Sequence, residues 1–525
     1  MARGPDVLGV GPAGDGMPVR VVTADGARAR DGAAIAAGVP AFDLMRAAGE
    51  AVAATILARH PAVRTAGALV VAGAGNNGGD AWVVAGALAR HGCPVRVETP
   101  LGPPRSPESQ RAETEASIRS TDVSAPGVVV DGLLGVGVVG PVREAAATAI
   151  QAINALGAAG AVVVAIDLPS GLDATTGAGA PVVRADLTCC LGTLKRGVLL
   201  RRDEVGEVVV LDIGLGAHAE GTDDAPALLD ADAVRAIVPP IPAEAHKGVR
   251  RRLAIVGGAE GMAGAPMFAA RGAMRSGIGM TRLLVAQANV PVVQGALPEA
   301  MAGRWPLTEE EQAPVLAWAD VLLLGPGLGL GTKTRALVER LLVAWRGPVV
   351  LDADALNVFE GEPRMLGALL GARPAVVTPH PAEAARLLRA DVAPVLAARE
   401  TAAADLARTL GATVLLKGPP TVIAAPDGRL AVSASGSPAL GIAGSGDVLA
   451  GIVATLLAQT LDPFVAAGAA AWVHGRAGER AAAARTVRGT TLDDVLAALA
   501  EVWRLDEARP VAPVLAALPA VGRTR

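Results

Sequence analysis

Residues 68–92 read ALVVAGAGNNGGDAWVVAGALARHG. The opening ALVVA is small, apolar and Val-rich, the pattern of a strand buried on both faces. Beyond the glycines, Trp82, Val83, Gly86, Ala87 and Arg90 recur at helical spacing, and Gly92 stops the helix. Gly73 and Gly75 let the chain turn sharply between the two elements. Gly78 and Gly79 are expected to expose backbone N–H groups at the helix start, a natural seat for phosphate. Asn76, Asn77 and Asp80 add side-chain amides and a carboxylate, which a purely structural turn does not need. The run departs from G-x-G-x-x-G and lacks the P-loop Lys-Ser/Thr, which argues against a dinucleotide-binding dehydrogenase.

The same strand-then-polar-turn pattern repeats along the chain. GVVVDGLLG, AVVVAIDLPSG and GEVVVLDIG follow in the first half. RRLAIVGGAEG, ADVLLLGPGLG, GPVVLDADALN, PAVVTPHPAE and ATVLLKGPP form a second series. Alternating strands and Ala-rich helices predict α/β architecture with parallel sheets. The chain has 525 residues, 51% of them hydrophobic, enough for two domains with large cores. The expected division is a flexible N-terminus at 1–18, a first domain at 19–218, a linker at 219–245, a second domain at 246–505 and a frayed tail at 506–525. In open α/β sheets ligands bind beyond the carboxyl ends of the strands, where every polar cluster quoted above falls.

Composition narrows the function. A net charge of −4 supplies no basic field for nucleic acid or a membrane surface. Aromatic residues make up only 2%, with no Tyr, so base-stacking platforms are not expected. The three cysteines, Cys93, Cys189 and Cys190, lack zinc-site spacing and suit a reducing compartment. Neither a signal peptide nor a membrane helix is read from the pattern. A soluble cytoplasmic enzyme is expected, a homo-oligomer acting on small molecules.

In the first half, Asp131, Asp167 and Ser170 stand at later strand ends. Asn77, Asp131 and Ser170 are hard oxygen ligands that suit a cation without Cys or His. Taken singly, Asp131 reads equally as a helix N-cap and Ser170 as a turn residue. Together, GAGNNGGD, VDGLLGVG and IDLPSG, preceded by AGVPAFDLMRAAGEAVA, resemble the NAD(P)H-hydrate epimerases over roughly residues 19–215. The resemblance implies a Rossmann-like αβα sandwich. It implies nucleotide-substrate contacts from Asn76, Asn77, Gly78, Gly79 and Asp80, and from Gly135, Val136, Gly137, Val138, Val139, Gly140 and Pro141. It also implies a potassium ion held by Asn77, Asp131 and Ser170, and Asp167 at the hydrated nicotinamide ring, the first choice for proton transfer. Ala81 stands where that family usually has Gly, and Lys195 of GTLKRG matches its strand-end Lys loosely.

In the second half, SPALGIAGSGDVLAGIVATLLA places Gly444, Ser445, Gly446 and Asp447 before a long apolar helix. Backbone N–H groups there suit a transferring phosphoryl group, and Asp447 suits the base for a hydroxyl nucleophile. The plain alternative is an N-capping Asp, and for His380 a turn residue. With HKGVRRRLAIVGGAEGMAGAPMFAARGAMRSGIG, these motifs resemble the ribokinase-like fold and, within it, the ADP-dependent NAD(P)H-hydrate dehydratases, over about 246–482. The resemblance implies a ribokinase-like αβα domain. It implies that Ala265, Gly327, His380 and Asp447 meet the hydrated substrate, and that Lys417, Gly418, Pro419, Pro420, Thr421 and Gly446 hold ADP with Mg²⁺. Ser445 replaces that family's Thr, and Ser433 and Ser435 stand where an Asn is frequent. The expected activity is repair of hydrated NADH and NADPH. The competing readings are a ribokinase-like small-molecule kinase fused to a nucleotide-sensing domain, and a chain whose first half is a non-catalytic sensor or scaffold.

Overall fold

The computed structural model describes residues 18–118, 121, 123–138, 140–218, 225–306, 308–508 and 510–521. Val139, nearly all of the segment 1–18, and positions 219–224 of the expected linker lie outside the described residues. The described chain forms two units, one built from 18–226 with 510–521, the other from 227–508.

The first unit is built on a seven-stranded sheet. Its strands lie in the order Val514–Leu518, Glu207–Leu211, Leu187–Leu191, Val162–Ile166, Val128–Gly132, Ala68–Ala72 and Val95–Glu98. All neighbours are parallel except the first pair. The central strands are buried on both faces, which is why they read as short Val-rich apolar runs. The helix Asn76–Arg90 packs against Ala41–Arg59 through Gly49, where a Cβ would lie 2.4 Å from that of Val83. A short strand, Val21–Val22, runs parallel to Leu194–Lys195.

The second unit carries a ten-stranded sheet. Its order is Met301–Arg304, Met280–Val285, Arg252–Val256, Val321–Leu324, Val349–Leu351, Ala375–Val377, Thr413–Leu416, Thr421–Ala424, Leu430–Ser433 and Ala227–Leu229. The first seven are parallel, and Thr421–Ala424 is antiparallel to both of its neighbours. The helix Ser445–Thr460 is buried over most of its length and crosses Gly264–Arg275 at very close range. A Cβ on Gly451 would sit 1.9 Å from the Ala269 carbonyl oxygen, and one on Gly272 2.4 Å from that of Val448. Small residues at this crossing therefore fix where the helix begins.

Two expectations need correction. The segment 506–525, read as a frayed tail, contains the strand Val514–Leu518, paired antiparallel to Glu207–Leu211. Only Ala516 and Leu518 turn inward, too short an alternation to stand out in an Ala- and Pro-rich stretch. The stretch 219–245, read as linker, contributes the buried edge strand Ala227–Leu229 and the helix Ala231–Ile237. Asp230 caps that helix, its carboxylate accepting from the Ala233 N–H at 2.8 Å. Among the described residues, no helix is long and apolar enough to cross a membrane.

Candidate active sites

In the first unit the polar residues gather beyond adjacent strand ends. Asp131 ends its strand fully buried, and it is not a helix cap. Its carboxylate accepts from the Ser170 hydroxyl at 2.6 Å and from the backbone N–H groups of Ser170 and Leu133 at 2.8 and 3.2 Å. The Ser170 Oγ accepts in turn from the Leu134 N–H at 2.8 Å, so Ser170 is more than a turn residue. Asn77 Nδ2 donates to the Leu134 carbonyl at 2.9 Å, leaving its own oxygen for another partner. Asn77, Asp131 and Ser170 are thus brought together around Leu134. Burial pushes the Asp131 carboxyl up to about 6, against the hydrogen bonds from Ser170 and Leu133. An oxygen-only donor set around a buried carboxylate suits a hard cation.

Gly78 and Gly79 serve a purpose that spacing did not reveal. Both are buried. A Cβ on Gly78 would lie 1.8 Å from the Gly73 carbonyl oxygen, and one on Gly79 2.6 Å from the Met45 sulfur. Packing against backbone requires glycine at Gly78, whereas a side chain at Gly79 would have to displace the Met45 tip and the Ser109 hydroxyl. The helix N-terminus has no side-chain cap, and Gly75 stands at its N-cap. Gly135, Val136, Gly137, Val138, Gly140 and Pro141 form a partly exposed loop beyond Asp131. A Cβ on Gly135 would meet that of Asn77 at 3.1 Å, so loop and helix start approach closely.

Asp167 lies at the next strand end with φ +67°, in the left-handed region that non-glycine residues rarely enter. Its carboxylate accepts from the Leu191 N–H at 3.0 Å and is paired with Lys195 Nζ. Lys195 is only 2% exposed and also donates to the Leu191 and Thr193 carbonyls at 3.0 and 3.3 Å. Burial pulls this ammonium down, but Asp167 and its other anionic neighbours outweigh burial and leave it raised. Asp80 faces the same charges. Burial first, then Asp167 and Asp31, hold its carboxyl well above the usual range. Lys195, matched only loosely by sequence, is therefore central to this site.

In the second unit, Asp447 occupies the third position of the Ser445–Thr460 helix. The N-cap is Gly444, with no side-chain cap, so Asp447 is not the capping residue. Lys417, at the end of Thr413–Leu416, donates to buried Asp352 at 2.7 Å and lies 3.7 Å from buried Glu383. Asp352 also accepts from the Thr378 hydroxyl at 2.7 Å. A Cβ on Gly446 would lie 3.6 Å from Lys417 Nζ, which brings the ammonium to the helix start. Burial, then Asp352, raise the Asp447 carboxyl to about 7, with Lys417 opposing them.

Gly327 has φ +58°, and a Cβ on it would meet that of Ala265 at 3.1 Å. Gly418 has φ +136° and faces Arg399, which donates to the Lys417 carbonyl at 2.7 Å. Pro419 and Pro420 continue that turn into the strand begun by Thr421, whose hydroxyl donates to the Gly418 carbonyl at 2.9 Å. His380 caps the helix Pro381–Leu388: Nδ1 accepts from the N–H groups of Ala382 and Glu383 at 3.1 and 3.2 Å. The Glu383 carboxylate accepts from the His380 N–H at 2.7 Å. Capping requires Nδ1 unprotonated, and burial lowers the imidazole accordingly. Asp352, Glu383, Thr378 and His474 were not singled out from sequence. His474 Nε2 is 3.3 Å from the Ser445 hydroxyl, and burial takes the ring down to about 4, so it is neutral. Among the described residues no cluster of three or more His, Cys, Asp or Glu is arranged to hold a metal.

Fold and strand-end chemistry describe a two-site α/β enzyme that handles nucleotides. The family described as YjeF-related protein N-terminus matches residues 41–197, and that described as NAD(P)H-hydrate dehydratase matches 253–501. A bifunctional NAD(P)H-hydrate repair enzyme of Moorella thermoacetica is 36% identical over 500 residues, covering 89% of this chain and 93% of its own. Those of Gloeobacter violaceus and Escherichia coli are 39% and 35% identical, covering 87% and 89% of this chain and 93% and 90% of their own. A solved ADP/ATP-dependent NAD(P)H-hydrate dehydratase of Bacillus subtilis is 28% identical, covering 53% of this chain and 98% of its own, with a TM-score of 0.46. The chain belongs to the bifunctional NAD(P)H-hydrate repair enzymes, with an epimerase half and a dehydratase half.

Proposed function

We propose that Asp167 and Lys195 carry epimerisation in the first unit, while Asp447 and Lys417 carry ADP-dependent dehydration in the second. The observation behind this reading is common to both units. In each, a buried or half-buried lysine paired with an aspartate at strand carboxyl ends, Lys195 with Asp167 and Lys417 with Asp352, acts by its charge on an aspartate of a helix with no side-chain cap, Asp80 or Asp447.

Epimerising the ring carbon that bears the hydroxyl requires proton transfer next to a ring nitrogen. Asp167 takes the hydroxyl proton and passes it to the ring nitrogen as the carbon–nitrogen bond opens to an aldehyde. Reclosure on the other face reverses the transfer, and Lys195 orients the Asp167 carboxylate. Asp80, whose carboxyl is raised by burial and then by Asp167 and Asp31, stands on the helix that receives the nucleotide. The loop Gly135–Pro141 and the residues Asn76 to Asp80 receive the nucleotide. We assign potassium to Asn77, Asp131 and Ser170, where it supplies the counter-charge for the buried carboxylate.

In the second unit, Asp447 accepts the proton of the substrate's ring hydroxyl as that oxygen attacks the β-phosphoryl group of ADP. AMP leaves. The hydroxyl oxygen then departs with the phosphate, and loss of a neighbouring ring proton restores the nicotinamide double bond. Lys417 and the N–H groups around Gly446 stabilise the transferring phosphoryl group, and Gly418 to Thr421 hold ADP. Mg²⁺ bound with ADP neutralises phosphate charge. Ala265, Gly327 and His380 line the substrate side, and the S form is the one dehydrated. The test is to incubate the chain with mixed hydrate epimers and ADP and follow the return of reduced-nicotinamide absorbance. Phosphorylated substrate accumulating without that return would instead support a kinase.

A further inference from the structure

We propose that Asp352 is a positioning residue of the dehydratase half: it fixes the Lys417 ammonium against the start of the Ser445–Thr460 helix and acts through its charge on Asp447. The inference rests on the reading of Asp447 as the base.

Asp352 sits just beyond Val349–Leu351 and is 2% exposed. Its place is fixed on several sides. Its N–H donates to the Leu324 carbonyl at 3.0 Å, and a Cβ on Gly325 would clash with its carbonyl oxygen at 1.8 Å. The next residue, Ala353, is held at φ +49°, a conformation that non-glycine residues rarely adopt. This strained turn aims the Asp352 carboxylate between the Thr378 hydroxyl and Lys417 Nζ, both at 2.7 Å. Lys417 is tied from its other end, its N–H donating to the Pro379 carbonyl at 2.9 Å and its own carbonyl accepting from Arg399. An ammonium held this rigidly needs no reorganisation when a phosphoryl group arrives.

The same carboxylate holds Lys417, whose Nζ would lie 3.6 Å from a Cβ on Gly446, next to Asp447 in the chain, and its charge reaches Asp447. The charged groups around Asp447 are Asp352 and Asp354 from one strand end, Lys417 from another and Glu383 from the Pro381–Leu388 helix. On the neighbouring helices, His474 is neutral and Arg271 is taken up by Asp493 at 2.6 Å. Asp354 accepts from the Gly329 N–H at 2.8 Å. After burial, Asp352 is the largest influence keeping Asp447 protonated to about pH 7. Asp352 thus supports the site in two ways, by fixing the cation and by setting the pH at which Asp447 becomes a base.

The test is Asp352→Asn in the full chain, assayed for dehydration of the S epimer with ADP across pH. Removing the like charge should move the acid limb of kcat/KM down by roughly one pH unit. KM for ADP should rise several-fold as Lys417 loosens. Thr378→Ala keeps the charge but removes one of its anchors, so it should raise KM for ADP without moving the limb. An acid limb in Asp352→Asn that stays in place or moves upward overturns the proposal. Asp447→Asn separates the two ideas. Full activity there sinks the base reading itself, whereas an inactive Asp447→Asn beside an unshifted Asp352→Asn sinks only the role of Asp352.

Discussion

Lys195→Met tests the epimerase half where its charges are most deeply enclosed. Lys195 is 2% exposed and Asp167 8%, and the ammonium bonds to Asp167 and to two carbonyls. Methionine replaces the stem but no charge, so the Asp167 carboxylate is left beside Asp80 and Asp31 with the Leu191 N–H at 3.0 Å as its recorded donor. Removing one partner of a buried pair costs about 3–5 kcal/mol. For a unit of this size, about 2–4 °C per kcal/mol converts that to a loss of order 10 °C in Tm. Scanning calorimetry of the full chain should show one transition falling by this amount while the dehydratase transition holds. Lys195→Met/Asp167→Asn removes the stranded charge and should recover at least half of the loss. A single variant within about 3 °C of wild type, or a double variant no better than the single, would refute the reasoning.

Three further outcomes are expected at the two sites. Dehydration by wild type should fall as pH drops below about 7, because Asp447 must be unprotonated to accept the hydroxyl proton and its carboxyl is raised to about 7. Asp447→Asn should lose several orders of magnitude in turnover while still binding ADP in calorimetry, and near-normal turnover would remove Asp447 from the mechanism. Asp131→Ala should abolish any stabilisation of the first unit by potassium chloride over choline chloride. Equal potassium-dependent Tm shifts in variant and wild type would contradict the assignment.

The strands were legible because both faces of a parallel sheet are buried, which leaves unbroken apolar runs such as Ala68–Ala72 and Val321–Leu324. The polar turns after them were legible for the complementary reason, since ligand-facing residues interrupt an otherwise apolar pattern. Partnerships between turns were not. Lys417 and Asp352 lie 65 residues apart and meet only because strand order brings their ends together. No spacing rule links Lys195 to Asp167 for the same reason. The glycines of GNNGGD carry a demand that spacing did not show: Gly78 is required by its contact with Gly73. Val514–Leu518 could not be read at all, because its edge pairing turns few side chains inward.

Whether one chain drains a mixed pool through two sites is tested most directly by the progress curve of Asp167→Ala. A dehydratase that reads a hydroxyl through buried polar groups rejects the other epimer, whose binding would leave those groups unpaired. Wild type with excess ADP should convert both hydrate epimers to completion. Asp167→Ala should show a fast phase of unchanged rate, followed by a plateau or a slow phase limited by spontaneous epimerisation. Clearance of both epimers by that variant at the wild-type rate would contradict epimerisation at Asp167.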